Sequence, residues 1–256
     1  MIDERAIIHP SAKLGKNVTV GPWSIIGEDV EIDDDTWIGS HVFIKGPTKI
    51  GKGNKIYQFT SLGEDPQSKD YHGGATRLEI GDYNLIREFV TINRATESGG
   101  GVTKIGDHNF IMSYVHIAHD CQVGNHVIFA NNSALSGHVF VDDYAVFGGY
   151  AGVHQYCRIG CYSFMAGTCG VSKDVPPFIL VSGSPASPYG LNLIGLRRNQ
   201  FPEATISQLR KAYNIIYRKG LSLQQAVNEL EKMVAECKEI GYLVHALNNT
   251  SRGVVR

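Results

Sequence analysis

The run His116-Ile117-Ala118-His119-Asp120 puts two imidazoles three residues apart, with a carboxylate directly after the second. Neutral imidazole titrates near working pH and can take a proton from a hydroxyl or an amine. An acid bonded to one ring nitrogen would fix the tautomer and leave the other nitrogen free as acceptor, a role that suits Asp120 beside His119. The same residue types could instead hold a metal, with His ligands drawn from two subunits, and residue type alone leaves both chemistries open. The cysteines offer no third centre. Cys121, Cys157, Cys161, Cys169 and Cys237 are odd in number and contain no Cys-x-x-Cys pair, so they read as reduced, packed thiols.

The elements that must carry these imidazoles follow from a repeat. Stepping by six from Ile8 gives an apolar residue every time to Leu62; the register resumes at Ile80, Ile86 and Ile92, then runs from Ile105 to Val171. All 25 stepped positions are apolar in a chain that is 43% hydrophobic, an outcome of roughly one in a billion by chance. A period of six fits neither a helix at 3.6 nor a sheet at two; it fits a short strand plus a corner repeated around a prism. Each stepped residue points inward, the position four later is small or β-branched, and Gly relieves corners that need positive φ. Three hexads make a coil, and coils stacked about 4.8 Å apart give a rod of about eight coils, roughly 40 Å long.

Positions 18 apart then lie above one another. Ile92, Ile117, Leu135, Val153 and Val171 share one column, which brings His116, His119, His138 and His154 together with Asn93, Asp120, Gln155 and Lys173. Both breaks in the register, at 67–79 and 98–104, also leave after hexads of this column. Polar groups and both loops therefore gather along one edge. His41, His108 and His126, at the fourth place of hexads on other columns, read as surface residues. A single prism edge is too shallow to enclose a substrate, and prisms of this kind commonly form trimers with clefts between subunits.

After Val175 the period ends in Pro176-Pro177, and a Pro/Ser/Gly stretch over 182–188 leads out of the prism. Beyond it the pattern is helical: Pro202 opens a helix whose apolar face stops near Gly220, Ser222 and Gln225 form a capping box for a second running through Val234, and a third starts near Ile240. The reading is an all-β parallel β-helix over residues 1–190 and a small C-terminal α-helical domain over 191–256. A net charge of -1 in 256 residues argues against a protein that coats nucleic acid. No segment approaches the roughly 18 uninterrupted apolar residues of a membrane span, and no signal peptide is visible, so a cytoplasmic location is expected. Residues 197–219 hold Arg197, Arg198, Arg210, Lys211, Arg218 and Lys219 against Glu203 alone. A solvated helix face explains charge there but not its one-sided concentration in a nearly neutral chain.

Several runs carry a specific resemblance: His116-Ile-Ala-His119-Asp120-Cys121, Ala130-Asn131-Asn132, Gly137-His138-Val139, Val153-His154-Gln155, Asp174-Val175-Pro176-Pro177, Gly190-Leu-Asn192, and a terminal Ser251-Arg252-Gly253-Val-Val-Arg256. Together they resemble the UDP-N-acetylglucosamine acyltransferases of lipid A synthesis over the whole chain. The resemblance implies a left-handed β-helix, a homotrimer with active sites at subunit interfaces, and direct transfer of a 3-hydroxyacyl chain from acyl carrier protein to the 3-position of UDP-N-acetylglucosamine. It implies neither a metal nor a bound cofactor; the acyl thioester of the carrier is the co-substrate. His119 would be the general base, Asp120 its orienting acid, and the Gly137 N–H an oxyanion donor. His116, His138, His154 and Gln155 would line the cleft for sugar nucleotide and acyl donor, Asn192 and Arg198 would lie near the nucleotide, and Gly167, at the position whose side chain limits the far end of the acyl groove, would leave that end open. Arg210, Lys211, Arg218 and Lys219 would then meet the acidic carrier.

Some positions depart from the family pattern. Thr91-Ile92-Asn93-Arg94-Ala95-Thr96 has Asn and Ala where His and Gly are frequent. Lys69, in Ser68-Lys69-Asp70-Tyr71, aligns with the family's loop lysine only after a one-residue shift, and Ile194 and Asn199 replace a Glu and an Arg near the nucleotide. Lys69 and Asn93 are retained as substrate contacts, and the Asn93 segment leaves open a 3-amino analogue of the sugar as acceptor, with an amide product. The γ-class carbonic anhydrases, which share the hexapeptide prism, keep a metal hydratase as the more distant alternative.

Overall fold

Every stepped residue occupies its own short strand. The computed structural model describes residues 1–69 and 71–256 and contains 25 such strands, β1 (Ile7–Ile8) to β25 (Gly170–Val171). With the strands that follow they form three sheets of nine, eight and ten strands. Pairing is parallel throughout the prism and runs from coil to coil: Ile92 stands opposite Ile117, Ile117 opposite Leu135, and Leu135 opposite Val153. The column inferred from spacing is thus the nine-stranded sheet, and the fold is the left-handed parallel β-helix with a small helical C-terminal part. The inward residues make one continuous core from Val20 to Val181, with Ile26, Ile44, Ile56, Phe129 and Phe147 fully buried.

The corners differ from expectation. Positive φ falls three residues after the inward residue, and mostly on residues other than glycine, among them Asp29, His41, Asp120, His138 and Tyr156. Asn and Asp tolerate this conformation through local hydrogen bonds, and the aromatic residues there stack on their neighbours. Tyr83, His108, His126, Tyr144 and Tyr162 form one ladder with centroid spacings of 4.7 to 5.2 Å, and His41 sits between Trp23 and Phe59 in another. Glycine serves instead directly after the inward residue, where coils approach closely; a Cβ on Gly21 would lie 2.7 Å from the Gly39 backbone.

The Pro/Ser/Gly stretch does not leave the prism as read. It closes a hairpin between β26 (Ile179–Ser182), which pairs with β24 (Phe164–Met165), and the antiparallel β27 (Ser187–Leu191). Four helices follow: α1 (Leu193–Arg198), α2 (Glu203–Tyr217), α3 (Leu223–Glu231) and α4 (Ile240–Asn248). Pro202 is the N-cap of α2, one place earlier than expected, and α3 stops at Glu231, short of Val234. The capping box is present, with Ser222 Oγ accepting from the Gln225 N–H and Gln225 Oε1 from the Ser222 N–H. Leu209, Ile216, Leu230, Leu243 and Leu247 build a second core. The terminal motif returns to the prism: Asp174 accepts from Thr250 and Ser251, Val255 is buried in the prism core, and Arg256 donates to the carbonyls of Ile216 and Leu221. Among the described residues no helix is long and apolar enough to cross a membrane.

Candidate active site

The two loops leave from neighbouring strands of one sheet, β10 (Ser61–Glu64) and β13 (Thr91–Asn93), and each re-enters the prism in the next sheet. Charge ties their roots together. Lys45 pairs with Glu64 at 2.6 Å and Asp65 at 3.2 Å, while Arg94 pairs with Asp65 and donates to the Tyr71 hydroxyl. Asn93 is buried, and its amide donates to the Asp65 and Glu64 carbonyls at 2.7 and 3.3 Å. Its oxygen is buried without a partner. Lys69 is exposed, while its neighbour Asp70 in the same loop reading lies outside the described residues.

At the edge itself, His119 Nδ1 lies 2.7 Å from Asp120 Oδ2. The carboxylate has no exposed surface. Its two oxygens also accept from Thr96, Oδ1 from the backbone N–H at 3.0 Å and Oδ2 from the hydroxyl at 2.8 Å. The Asp120 N–H in turn donates to Thr103 Oγ1 at 2.8 Å, which holds the left-handed corner in place. Gly137 lies beneath the imidazole: a Cβ there would come within 2.6 Å of His119 Cε1, so any side chain would displace the ring. His138 meets His119 edge-on at 5.2 Å, stacks on Tyr156 at 4.5 Å, and brings Nε2 to 3.6 Å from Asp120 Oδ2. His116 bonds Thr91 Oγ1 through Nδ1 at 2.8 Å. His154 and Gln155 are exposed on the next coil along the edge.

The surroundings favour the charged form of Asp120 and the neutral forms of His116 and His138. Burial pushes the Asp120 carboxyl up, but hydrogen bonds from His119 and Thr96 outweigh it and leave the group below the ordinary carboxylate value. Burial lowers His116, and the charge of His119 adds to the effect. Burial also lowers His138, with Asp120 opposing and His119 reinforcing. Cys121 stands next to the acid, but burial pushes its thiol to about 12, which leaves it no part as a nucleophile. His119 thus faces the carboxylate through Nδ1, and its Nε2 makes no hydrogen bond to the described residues.

The remaining candidates lie elsewhere on the chain. Gly167 is exposed at a corner, and a Cβ there would meet only the Gly149 carbonyl at 3.4 Å. Asn192 is buried and caps α1, accepting from the Gly195 N–H and donating to the Tyr162 carbonyl. Arg198 is exposed at the end of α1; Arg210, Lys211, Arg218 and Lys219 are exposed on or just after α2. Arg197 differs from the rest of the basic group, because Glu203 pairs with it at 2.9 Å. Thr96 and Thr103 had no part in the sequence-based reading of the edge. Thr96 is the β-branched fourth place after Ile92, but the chain leaves its strand after Asn93, and only folding places the hydroxyl on Asp120.

Ligand atoms of His119, Asp120 and His138 lie within 4.8 Å of one another, so the geometry admits a cation as a question. The donor set answers it poorly. A cation on Asp120 Oδ2 would have to displace the donors from His119 and Thr96, both already within hydrogen-bond distance.

Known proteins resemble this chain along its full length. A family model described as UDP N-acetylglucosamine O-acyltransferase, domain 2, matches residues 174–255, and a bacterial transferase hexapeptide model matches 103–137. The acyl-[acyl-carrier-protein]–UDP-N-acetylglucosamine O-acyltransferase of Halorhodospira halophila is 51% identical, covering 100% of this chain and 99% of its own length. That of Saccharophagus degradans is 50% identical with the same coverage. Among solved structures, the UDP-N-acetylglucosamine acyltransferase of Francisella novicida superposes with a TM-score of 0.98 at 39% identity, over 100% of this chain and 94% of that one. The UDP-N-acetylglucosamine O-acyltransferase of Moraxella catarrhalis gives 0.96 at 43%, over 100% and 99%. With half of all positions identical from end to end and the whole fold superposed, this chain belongs to the UDP-N-acetylglucosamine O-acyltransferase family.

Proposed function

We propose that this chain transfers a 3-hydroxyacyl group from the thioester of acyl carrier protein to the 3-hydroxyl of UDP-N-acetylglucosamine, the first step of lipid A synthesis, with His119 as general base. The observation that carries the reading is the His119 imidazole held by a buried, fully bonded Asp120 with Nε2 left open. Nε2 takes the hydroxyl proton as the sugar oxygen attacks the thioester carbonyl. Asp120 stabilises the imidazolium that forms, and the Gly137 N–H faces the oxyanion. That attack forms the ester C–O bond; collapse of the tetrahedral species re-forms the carbonyl and breaks C–S, and the imidazolium returns its proton to the departing thiolate.

Lys69, Asn93, His116, His138, His154 and Gln155 are assigned to the cleft for the sugar nucleotide and donor. Arg198 is assigned to the nucleotide; Asn192, whose amide is engaged in capping, holds the helix that carries Arg198. Gly167 is assigned to the far end of the acyl groove, which it leaves open, and Arg210, Lys211, Arg218 and Lys219 receive the acidic carrier. A homotrimer with the cleft between subunits is supported by the outward surface. One sheet presents Lys13, Glu31, Lys49, Glu79, Lys104 and Arg158, whereas Trp23, Ile25, Phe59, Phe89, Tyr114 and Ile128 lie exposed on the other two faces and the corner between them. Exposed apolar surface on that scale fits subunit contacts. A cytoplasmic enzyme is the corresponding location.

His119→Ala tests the mechanism. Turnover should fall by about 100-fold to 10,000-fold, the usual contribution of a general base, with the melting temperature retained because the ring supports no core. A near-native rate would overturn it. Stoichiometric zinc in the purified protein would instead favour the hydratase.

A further inference from the structure

Thr96 stands where nothing in the reaction above uses it. It belongs to the loop over residues 94–101, which leaves the prism after Asn93, and it is buried. Its hydroxyl accepts from the Gly99 N–H at 3.1 Å, lies 3.3 Å from Ser98 Oγ, and gives its hydrogen to the acceptor-only carboxylate at Asp120 Oδ2, 2.8 Å away. Its backbone N–H donates to Asp120 Oδ1 at 3.0 Å. Gly99 lies flat on the same carboxylate, where even a Cβ would overlap the Asp120 side chain. One face of the acid is thus closed by the loop and the other is turned to His119.

We propose that Thr96 is a positioning residue for acyl transfer: its hydroxyl and backbone N–H clamp both oxygens of Asp120 and fix Oδ2 on His119 Nδ1. The inference rests on His119 acting as the base. Asp120 sits in a left-handed corner with φ of 63°, so its backbone direction is set by the coil and by Thr103, while the orientation of its carboxylate is set by the loop. Loop and prism meet at this acid, which makes the geometry of the base depend on the segment that leaves the prism after Asn93. The titratable groups facing the pair are His138 from the next coil and His116 beside His119. Among the loop residues, Glu97 is turned toward Gly74 of the other loop.

Thr96→Val keeps the shape and the backbone N–H and removes the hydroxyl. We expect kcat to fall about 10- to 100-fold, as misplacement of a reacting group does, with KM for the sugar nucleotide within about twofold. The acid limb of the kcat–pH profile should move to higher pH, because a carboxylate stripped of a donor holds the imidazolium proton more strongly. Thr96→Ser should restore both rate and profile. A Thr96→Val enzyme within about twofold of the parent kcat overturns the proposal. So does a loss shared by Val and Ser variants with an unmoved acid limb, which marks a purely structural loop anchor. His119→Ala, measured alongside, separates the two ideas. If it stays active, the base and its positioning fall together; if it is inactive while Thr96→Val is unimpaired, only the role of Thr96 falls.

Discussion

At the scale of single residues, chemistry depends on which side chains are absent as much as on which are present. Gly137 leaves room for the His119 ring, and Gly99 leaves room for the Asp120 carboxylate. Gly167 leaves open space at a corner, with only the Gly149 carbonyl in reach of a Cβ. If that space is the far end of the acyl groove, the enzyme accepts chains of roughly 14 carbons or longer, since a concave apolar site takes what its end wall admits. Gly167→Met should shift the preference toward shorter donors. A donor-length profile read by mass spectrometry checks it, and an unmoved optimum removes Gly167 from that role.

At the scale of elements, α2 concentrates charge on a surface the prism does not have. Its N-terminal Glu203 is paired with Arg197, so the acid nearest the start of the helix is already engaged. Arg210 and Lys211 project from the helix, and Lys211 and Lys219 line a shallow depression with Asn214, Met233 and Glu236 between α2 and the segment after α3. An acidic carrier would be steered to this surface over about a Debye length, roughly 8 Å at physiological salt. Reversing charge at Arg210 and Lys211 together should raise the apparent KM for the acyl-carrier donor and flatten its salt dependence. Binding of the sugar nucleotide should be unaffected. Donor kinetics that stay constant across a salt series would count against the docking surface.

At the scale of the whole molecule, burial of imidazoles links stability to pH. His116 and His138 both have values below the 6.5 of a free imidazole, because burial disfavours the charged ring. The unfolded chain therefore binds more protons than the folded one as pH drops below that value, and stability falls. At more acid pH the loss grows through Asp120, whose depressed value stabilises the fold only while the carboxylate is ionised. Denaturant midpoints should decline between about pH 7 and pH 5, and the decline should be shallower in a His116→Ala, His138→Ala double variant. Parallel slopes for parent and variant would refute the assignment to these two rings.

The repeat was legible from end to end. Inward residues recur every sixth place because a prism core has one inward position per strand, and parallel stacking then dictates that residues 18 apart meet. That was enough to put His116, His119, His138 and His154 on one edge and to bring both loops to the same sheet; the Ser222–Gln225 spacing separately marked the capping box. Adjacency in the chain likewise made the His119–Asp120 pair visible. Folding decided what periodicity does not encode. Positive φ went to Asp120, His138 and the ladder aromatics, because stacking and local hydrogen bonds from one coil to the next stabilise that conformation without glycine. The stretch after Val175 closed a hairpin instead of departing, since the last coil still offered an unpaired strand edge at Phe164–Met165. The bonds from Thr96 to Asp120 join residues 24 apart: the repeat marks Thr96 only as the small or β-branched place after Ile92, and the path of the chain leaving the prism there brings its hydroxyl onto a carboxylate it could not meet along the sequence.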